Sequence, residues 1–65
     1  MEITVNGVPE HTGHETLEEL VRSRGLETGA LIVEHNFKVI PKETWDQTRL
    51  QPGDTIELLS FVGGG

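Results

Sequence analysis

The opening stretch of the chain, EITVNGVPEHT, alternates apolar and polar residues and is interrupted by the dipeptide Asn6-Gly7. Strict alternation is the pattern of a strand with one buried face, because successive side chains of a strand point to opposite sides. Asn-Gly between such runs favours a type I′ turn, in which both central residues take a positive φ. The pattern therefore predicts an antiparallel hairpin with strands at about residues 2–6 and 8–12.

A helical period follows in the segment ETLEELVRSRG. Thr16, with Glu19 three residues later, is typical of a helix N-terminus, where the hydroxyl accepts a hydrogen bond from a free backbone N–H. Gly25 suits the left-handed conformation in which helices commonly end. We expect a helix of about two to three turns, and the residues at i, i+3 and i+4 of its apolar stripe are Leu17, Leu20 and Val21.

The middle of the chain predicts a second pair of strands. The segment ALIVEHNFKVIP indicates two short strands joined by a turn around His35-Asn36, the second strand ending at Pro41. The following PKETWDQTRL has no sustained period, so we expect a helical turn or an irregular loop that folds Trp45 back onto the core.

The last turn and strand complete a recognisable element order. In QPGD, Pro52 and Gly53 suit the central positions of a type II turn, and TIELLSFV predicts the final strand. The order β-β-α-β-(β)-β favours an α+β fold of the β-grasp type, with a mixed sheet of four or five strands packed on one helix. By analogy with that fold, the first and last strands lie side by side at the sheet centre. We expect residues 1–62 to form the domain and residues 63–65 a flexible glycine tail.

Composition narrows the class of protein. The 65 residues carry a net charge of −6 and 34% hydrophobic residues, and they include no cysteine, which excludes disulfides, zinc–thiolate sites and thiol nucleophiles. The net negative charge makes nucleic acid and anionic membranes poor partners, because both call for a basic surface. It fits either simple solubility or a partner with a positive groove. The N-terminal residues resemble no signal peptide, and no apolar run is long enough to span a bilayer, so we expect a soluble, cytoplasmic protein.

Candidate catalytic or metal-binding side chains are few. His11-x-x-His14 with the adjacent Glu15 is the nearest approach to a metal cluster, and two histidines on a loop are weak evidence for zinc. Glu18 and Glu19 are adjacent on the predicted helix and do not face one another, so a solvated face explains them better than acid–base catalysis. We predict no metal site, no tightly bound cofactor and no enzymatic activity of the chain itself.

The sequence ends on Gly63, Gly64 and Gly65, which present almost bare backbone. Such a segment fits a passage too narrow for side chains, and three extended residues reach roughly 10 Å. The α-carboxylate of Gly65 is ionised at neutral pH and can attack the α-phosphorus of ATP to give a mixed anhydride. A sulfur or nitrogen nucleophile can then open that anhydride. The alternative is a frayed, inert end.

Over its whole length the chain resembles the ThiS family of ubiquitin-like sulfur carriers of thiamine biosynthesis. The likeness rests on ITVNG, TLEELV, ALIVEHNFKVIPKETW, LQPGDTIELL and the terminal Gly-Gly. The segment EHNFKV departs from the family, in which many members carry an Asn-Gly turn there. The resemblance implies a thiocarboxylate on Gly65, with Gly64 allowing the tail to thread an active site and Gly63 extending the arm.

The resemblance also implies partners. An ATP-using adenylating enzyme related to ubiquitin activators would convert Gly65 to an acyl-adenylate. Sulfur drawn from cysteine through a desulfurase would replace one oxygen, and a thiazole synthase would accept it. The absence of cysteine fits a protein that holds sulfur on its C-terminus.

The final strand suggests a docking surface. If Ile56 and Leu58 face the core, alternation turns Glu57, Leu59 and Phe61 to the other face. Leu59 and Phe61 would then form an apolar patch beside the tail, surrounded by acids that suit a basic partner. The alternative is that they cover the edge of the core.

Other functions share parts of this pattern. The small subunit of molybdopterin synthase has the same fold, Gly-Gly end and thiocarboxylate, and a carrier for another sulfur-containing metabolite is a further alternative. From other classes, the tail of a protein modifier would be joined to lysines, and a plain β-grasp interaction module would carry an inert end.

Overall fold

Five strands, one α-helix and two 3-10 helices lie within residues 1–61, the part of the chain that the computed structural model describes. The order agrees with the sequence prediction. A 3-10 helix, Lys42–Gln47, lies where a helical turn or an irregular loop was expected, and a second one, Thr28–Ala30, was not predicted. The remaining elements are β1 (Glu2–Val5), β2 (Val8–His11), α1 (Leu17–Ser23), β3 (Leu31–His35), β4 (Lys38–Val39) and β5 (Thr55–Ser60).

Within this described part, the five strands form one mixed sheet in the order β2-β1-β5-β3-β4. The first and last strands are parallel neighbours at its centre, and the other pairs are antiparallel. This arrangement, with α1 on one face, confirms the predicted β-grasp architecture and its α+β class. Strand β5 pairs with β1 at its start, through Thr55 and Ile56, and with β3 up to Ser60, so the segment leading to the C-terminus follows a strand that is paired with β3.

The first turn is the type I′ hairpin that Asn-Gly predicted. Asn6 has a φ of 51° and Gly7 a φ of 81°, and β1 pairs with β2 in antiparallel register. Asn6 also reaches across the sheet, because its Oδ1 accepts from the N–H of Leu58 at 2.7 Å and its Nδ2 donates to the Leu58 carbonyl at 3.3 Å. The side chain thus continues the β1–β5 pairing beyond the end of β1.

Helix α1 starts and ends as its sequence indicated. The Thr16 Oγ1 accepts from the N–H of Glu19 at 3.2 Å, and Gly25 follows the helix with a φ of 68°. The Glu19 carboxylate accepts from the N–H of Glu15 at 2.9 Å, one residue before the cap, so two free backbone donors are satisfied.

The core lies between α1 and the inner face of the sheet. Trp45 is 2% exposed, and its indole Nε1 donates to the carbonyl of Ile40 at 2.8 Å, which confirms that the 3-10 segment folds this ring onto the core. The other buried apolar residues are Ile3, Val5, Leu17, Leu20, Val21, Leu31, Val33, Leu50, Ile56 and Leu58.

The turn between β3 and β4 lies one residue later than the sequence suggested. The prediction centred it on His35-Asn36, but His35 is the last residue of β3, and Asn36 and Phe37 take the positive φ values of 53° and 71°. Tertiary bonds decide the position, because Asn36 donates from its N–H to the Thr55 carbonyl at 2.8 Å and accepts from the Thr55 N–H on Oδ1 at 2.9 Å. Phe37 therefore occupies a backbone conformation that bulky residues rarely adopt.

The QPGD segment forms the predicted turn. Gly53 has a φ of 85°, and the N–H of Asp54 donates to the carbonyl of Gln51 at 3.1 Å. None of the helices in residues 1–61 has the length and apolar character needed to cross a bilayer.

Candidate functional site at the end of β5

The C-terminal end of β5 is anchored to the body of the domain. Strand β5 pairs with β3 over five residue pairs, from Leu31↔Ser60 to His35↔Ile56. Beyond the strand, the N–H of Phe61 donates to the carbonyl of Ala30 at 3.0 Å. The chain is therefore held up to Phe61, its last described residue, beside the first 3-10 helix.

The predicted tail residues Gly63, Gly64 and Gly65 lie outside the described residues, as does Val62. The roles assigned to the three glycines stay predictions. What the structure supplies is the anchored position from which this segment begins.

The alternation predicted for β5 is confirmed. Ile56 is fully buried and Leu58 is 8% exposed, so both face the core. Leu59 and Phe61 point away from it and are 41% and 67% exposed. That Leu59 and Phe61 receive a partner stays a prediction, as does the alternative that they cover the core edge, since Val8, Phe37 and Val39 are comparably exposed.

A third apolar side chain joins these two, and sequence reasoning missed it. Ile32 on β3 lies directly opposite Leu59 and is 38% exposed. Residues directly opposite in an antiparallel pair have Cβ atoms about 5 Å apart, so the two side chains adjoin on the outer face of the sheet. We call Ile32, Leu59 and Phe61 the outer apolar patch. No local sequence signal could pair Ile32 with Leu59, because the register of β3 on β5 is a long-range property.

Two carboxylates lie next to this patch. Glu34 on β3 is directly opposite Glu57 on β5, and both side chains are partly exposed on the same outer face. Within residues 1–61, no ion pair engages either of them, whereas Glu10, Glu15 and Glu18 each have an arginine partner. Like charges directly opposite in a sheet are destabilising, so this acidic pair is an unfavourable feature of the isolated domain.

A second polar cluster lies at the other end of β5, away from the tail. Asp54 is 6% exposed, and its Oδ2 lies 2.7 Å from His35 Nε2 and 2.8 Å from the N–H of Gln51. Its Oδ1 accepts from Asn36 Nδ2 at 3.1 Å. Burial raises the pKa of the Asp54 carboxyl, but these hydrogen bonds outweigh it, so the pKa lies below its ordinary value of 3.8. The cluster joins the start of β5 to the β3–β4 turn, which gives it a structural role.

The His11-x-x-His14 motif with Glu15 forms no metal-binding cluster among the described residues. No group of three or more histidine, aspartate or glutamate side chains in the described part of the chain is arranged to hold a metal ion. His14 Nδ1 instead lies 3.9 Å from Glu19 Oε1 at the N-terminus of α1. Glu18, the other helix acid considered, accepts from Arg22 Nε at 3.2 Å, which is an ordinary i, i+4 pair on a solvated helix face.

A cleft of about 220 Å³ lies on the helix side of the domain, whereas the outer apolar patch lies on the other face of the sheet. The buried Trp45 forms part of its wall, and the Glu18–Arg22 pair satisfies two of its charged groups. Thr28 and Lys42 are the other polar groups of its lining, and the sequence pattern singled out neither of them, so the end of β5 remains the candidate site.

Comparison with known proteins gives one consistent result. The model of the ThiS family matches residues 2–65. The sulfur carrier protein ThiS of Bacillus subtilis is 42% identical over 50 residues, which cover 77% of this chain and 76% of that protein. The crystal structure of the thiamine biosynthesis protein ThiS from Geobacter metallireducens is 36% identical, superposes with a TM-score of 0.83 and is covered completely, as is this chain.

A longer relative has a different name. The thiazole synthase of Paramagnetospirillum magneticum is 30% identical over 66 residues, which span all of this chain but only 20% of that protein. In that relative, a segment similar to this chain is thus part of a polypeptide about five times as long.

Proposed function

The chain belongs to the ThiS family and is a sulfur carrier protein of thiamine biosynthesis, and we propose that it carries the sulfur as a thiocarboxylate on Gly65. The observation that carries the proposal is the family match through residue 65 on a domain whose central strand leads directly to the glycines. The match favours the thiamine carrier over the small subunit of molybdopterin synthase. The proposal takes Gly65 as the C-terminal residue of the working protein.

The chemistry proceeds in two balanced steps. A carboxylate oxygen of Gly65 attacks the α-phosphorus of ATP, an acyl-adenylate forms, and pyrophosphate leaves. Hydrosulfide then attacks the carbonyl carbon, and AMP leaves with the bonding electron pair. The net change replaces one carboxylate oxygen by sulfur without a change of oxidation state at carbon.

The protein acts in this scheme as a co-substrate of other enzymes. An adenylating enzyme binds and consumes the ATP, and a thiazole synthase accepts the sulfur. The domain itself then needs no tightly bound cofactor and no catalytic side chain. The similarity to a segment of a thiazole synthase supports the second partner, because proteins that act on each other are often fused.

The fold suits this role for a mechanical reason. The bond from the Phe61 N–H to the Ala30 carbonyl and the pairing of β5 with β3 up to Ser60 fix the base of the tail. A partner that binds Leu59 and Phe61 therefore positions the chain end within a few residues of the contact, about 3.4 Å per extended residue. Gly63 and Gly64 present no Cβ to the walls of a narrow active site.

Intact-mass spectrometry tests the proposal directly. The full chain is incubated with ATP, sulfide and the adenylating enzyme encoded in the same genome. We expect a mass gain equal to the exchange of one oxygen for one sulfur, localised to Gly65 by fragmentation. A chain lacking Gly64 and Gly65 is the matched control and should gain nothing.

Two other results have distinct meanings. An unchanged terminus with an enzyme that modifies another carrier would contradict the proposal and favour a plain interaction module. Isopeptide adducts on lysines in cells, in place of the thiocarboxylate, would indicate a protein modifier.

A further inference from the structure

The outer face of the sheet carries a charge arrangement that the isolated domain does not explain. Glu34 and Glu57 occupy one registered pair, and the Ile32–Leu59 pair lies two residues further along the same face. The two pairs are therefore separated by roughly 7 Å along the strands. Phe61 follows on the tail side, so acidic and apolar groups form one continuous strip that leads to the tail.

The domain keeps its own cations away from this strip. Arg22, Arg24 and Arg49 are paired with glutamates of α1, β2 and the loop before α1. Lys42 lines the cleft on the helix side. Lys38 is registered opposite His35, which itself lies opposite the buried Ile56, so Lys38 belongs to the inner row of β4. These are the five lysines and arginines of the chain.

The acidic pair is unfavourable in the free protein, and a cation between its members would relieve the repulsion. Directly opposed carboxylates repel at a Cβ separation of about 5 Å. Each carboxylate only accepts hydrogen bonds, and a guanidinium or ammonium group donates several at once. A single arginine or lysine from outside the domain would relieve the repulsion and be held by both acids.

We propose that Glu34 and Glu57 together bind a basic side chain of the thiazole synthase while the outer apolar patch enters an apolar depression beside it. This inference rests on the proposed function and adds the chemistry of the partner surface. On the partner surface, the arginine or lysine lies roughly 7 Å from the apolar depression, on the side farther from the entrance that receives the tail. The contact between the acidic pair and the partner's basic side chain fixes the orientation of the sheet on the partner. That orientation directs the tail toward the entrance of the partner's active site.

The same variants should stabilise the free domain and weaken its binding to the thiazole synthase. Glu34→Gln or Glu57→Gln removes the repulsion, so the melting temperature of the free domain should rise by about 2–4 °C. The same change removes half of the cation site, so the dissociation constant for the thiazole synthase should increase about tenfold and vary less with salt concentration. Glu43→Gln is the matched control, because it removes one charge from the second 3-10 helix, on the helix side of the domain.

A charge reversal sharpens the test. Glu57→Lys places an ammonium group opposite Glu34, so the free domain should be stabilised more than by Glu57→Gln. Binding to the thiazole synthase should weaken further, because the site then repels the partner's cation.

The measurements are thermal unfolding of the full chain and calorimetric titration with the thiazole synthase encoded in the same genome, at low and high salt. Affinities of the Glu34 and Glu57 variants equal to that of Glu43→Gln would overturn the proposal, as would a fall in melting temperature. Weakened binding to the adenylating enzyme alone would overturn the choice of partner.

The test separates this inference from the proposed function. Sulfur loading is measured by mass on the same samples. If the wild-type chain gains sulfur and its affinity does not depend on the acidic pair, only the inference fails. If it gains none with an active adenylating enzyme, both fail.

Discussion

Asp54 and His35 form a partly buried contact, with Asp54 Oδ2 2.7 Å from His35 Nε2, that joins the turn before β5 to the end of β3. An ionised carboxylate only accepts hydrogen bonds, so the imidazole donates through Nε2. The contact lies at the end of the sheet opposite the tail, and together with the bonds of Asn36 it fixes where β5 begins.

The first prediction concerns acid stability. The pKa of the Asp54 carboxyl is lower in the folded protein than its ordinary value of 3.8. The ionised carboxylate therefore contributes fully to the unfolding free energy above pH 3.8, and this contribution is lost as the pH falls through the folded pKa. Asp54→Asn should cost about 1–3 kcal/mol of unfolding free energy at pH 7. The difference from wild type should shrink below about pH 4.

Urea denaturation of both proteins at several pH values measures this effect. Asp46→Asn serves as the control, since Asp46 is an exposed aspartate of the second 3-10 helix. A difference between wild type and Asp54→Asn that stays constant down to pH 2 would contradict the linkage of this carboxylate to folding.

The second prediction concerns the strained turn. Phe37 has a φ of 71° and is 79% exposed, so its ring gains little burial to offset the unfavourable backbone. Phe37→Gly should raise the unfolding free energy by about 1 kcal/mol, because glycine adopts this conformation without a Cβ clash. Thermal unfolding measures the gain, and a lower melting temperature would show that the ring has a stabilising contact in the free domain.

The third prediction separates the two roles of Asn6. Its positive φ shapes the hairpin, and its side chain makes two bonds to the backbone of Leu58. Asn6→Gly keeps the backbone conformation and loses the bonds, and should cost about 1–2 kcal/mol. Asn6→Ala loses the two bonds and also the preference for a positive φ, and should cost about 1 kcal/mol more. Equal unfolding free energies for wild type and Asn6→Gly in denaturant titrations would show that the cross-sheet bonds contribute nothing.

The fourth prediction tests the docking role of Phe61. Phe61→Ser should lower the affinity for the partner enzymes about tenfold or more, with little effect on folding, because the ring is 67% exposed and its N–H bond to Ala30 does not need the side chain. Phe37→Ser makes the same exchange at the opposite end of the sheet and should bind as wild type does. Titration calorimetry compares the two, and equal affinities would remove Phe61 from the docking surface.

Local features were predictable because they depend on residues close in sequence. The Asn6-Gly7 turn, the Thr16 cap and the positive φ of Gly53 all follow from conformational preferences that act within four residues. The one-residue error at the β3–β4 turn has the opposite origin. There the bulky Phe37 adopts a positive φ that its own conformational preference disfavours, because the hydrogen bonds between Asn36 and Thr55 across the sheet fix the position of the turn.

The amino-acid sequence by itself determined the element order, the buried face of β5 and the glycine segment, since periodicity and turn chemistry are written along the chain. Only the tertiary structure decided which side chains share the outer face: Ile32 with Leu59, and Glu34 with Glu57. These partners are more than 20 residues apart, and a shift of one residue in register would have turned one member of each pair to the other side of the sheet. Register is set by the packing of the whole core, so the composition of the outer face of the sheet depends on the fold.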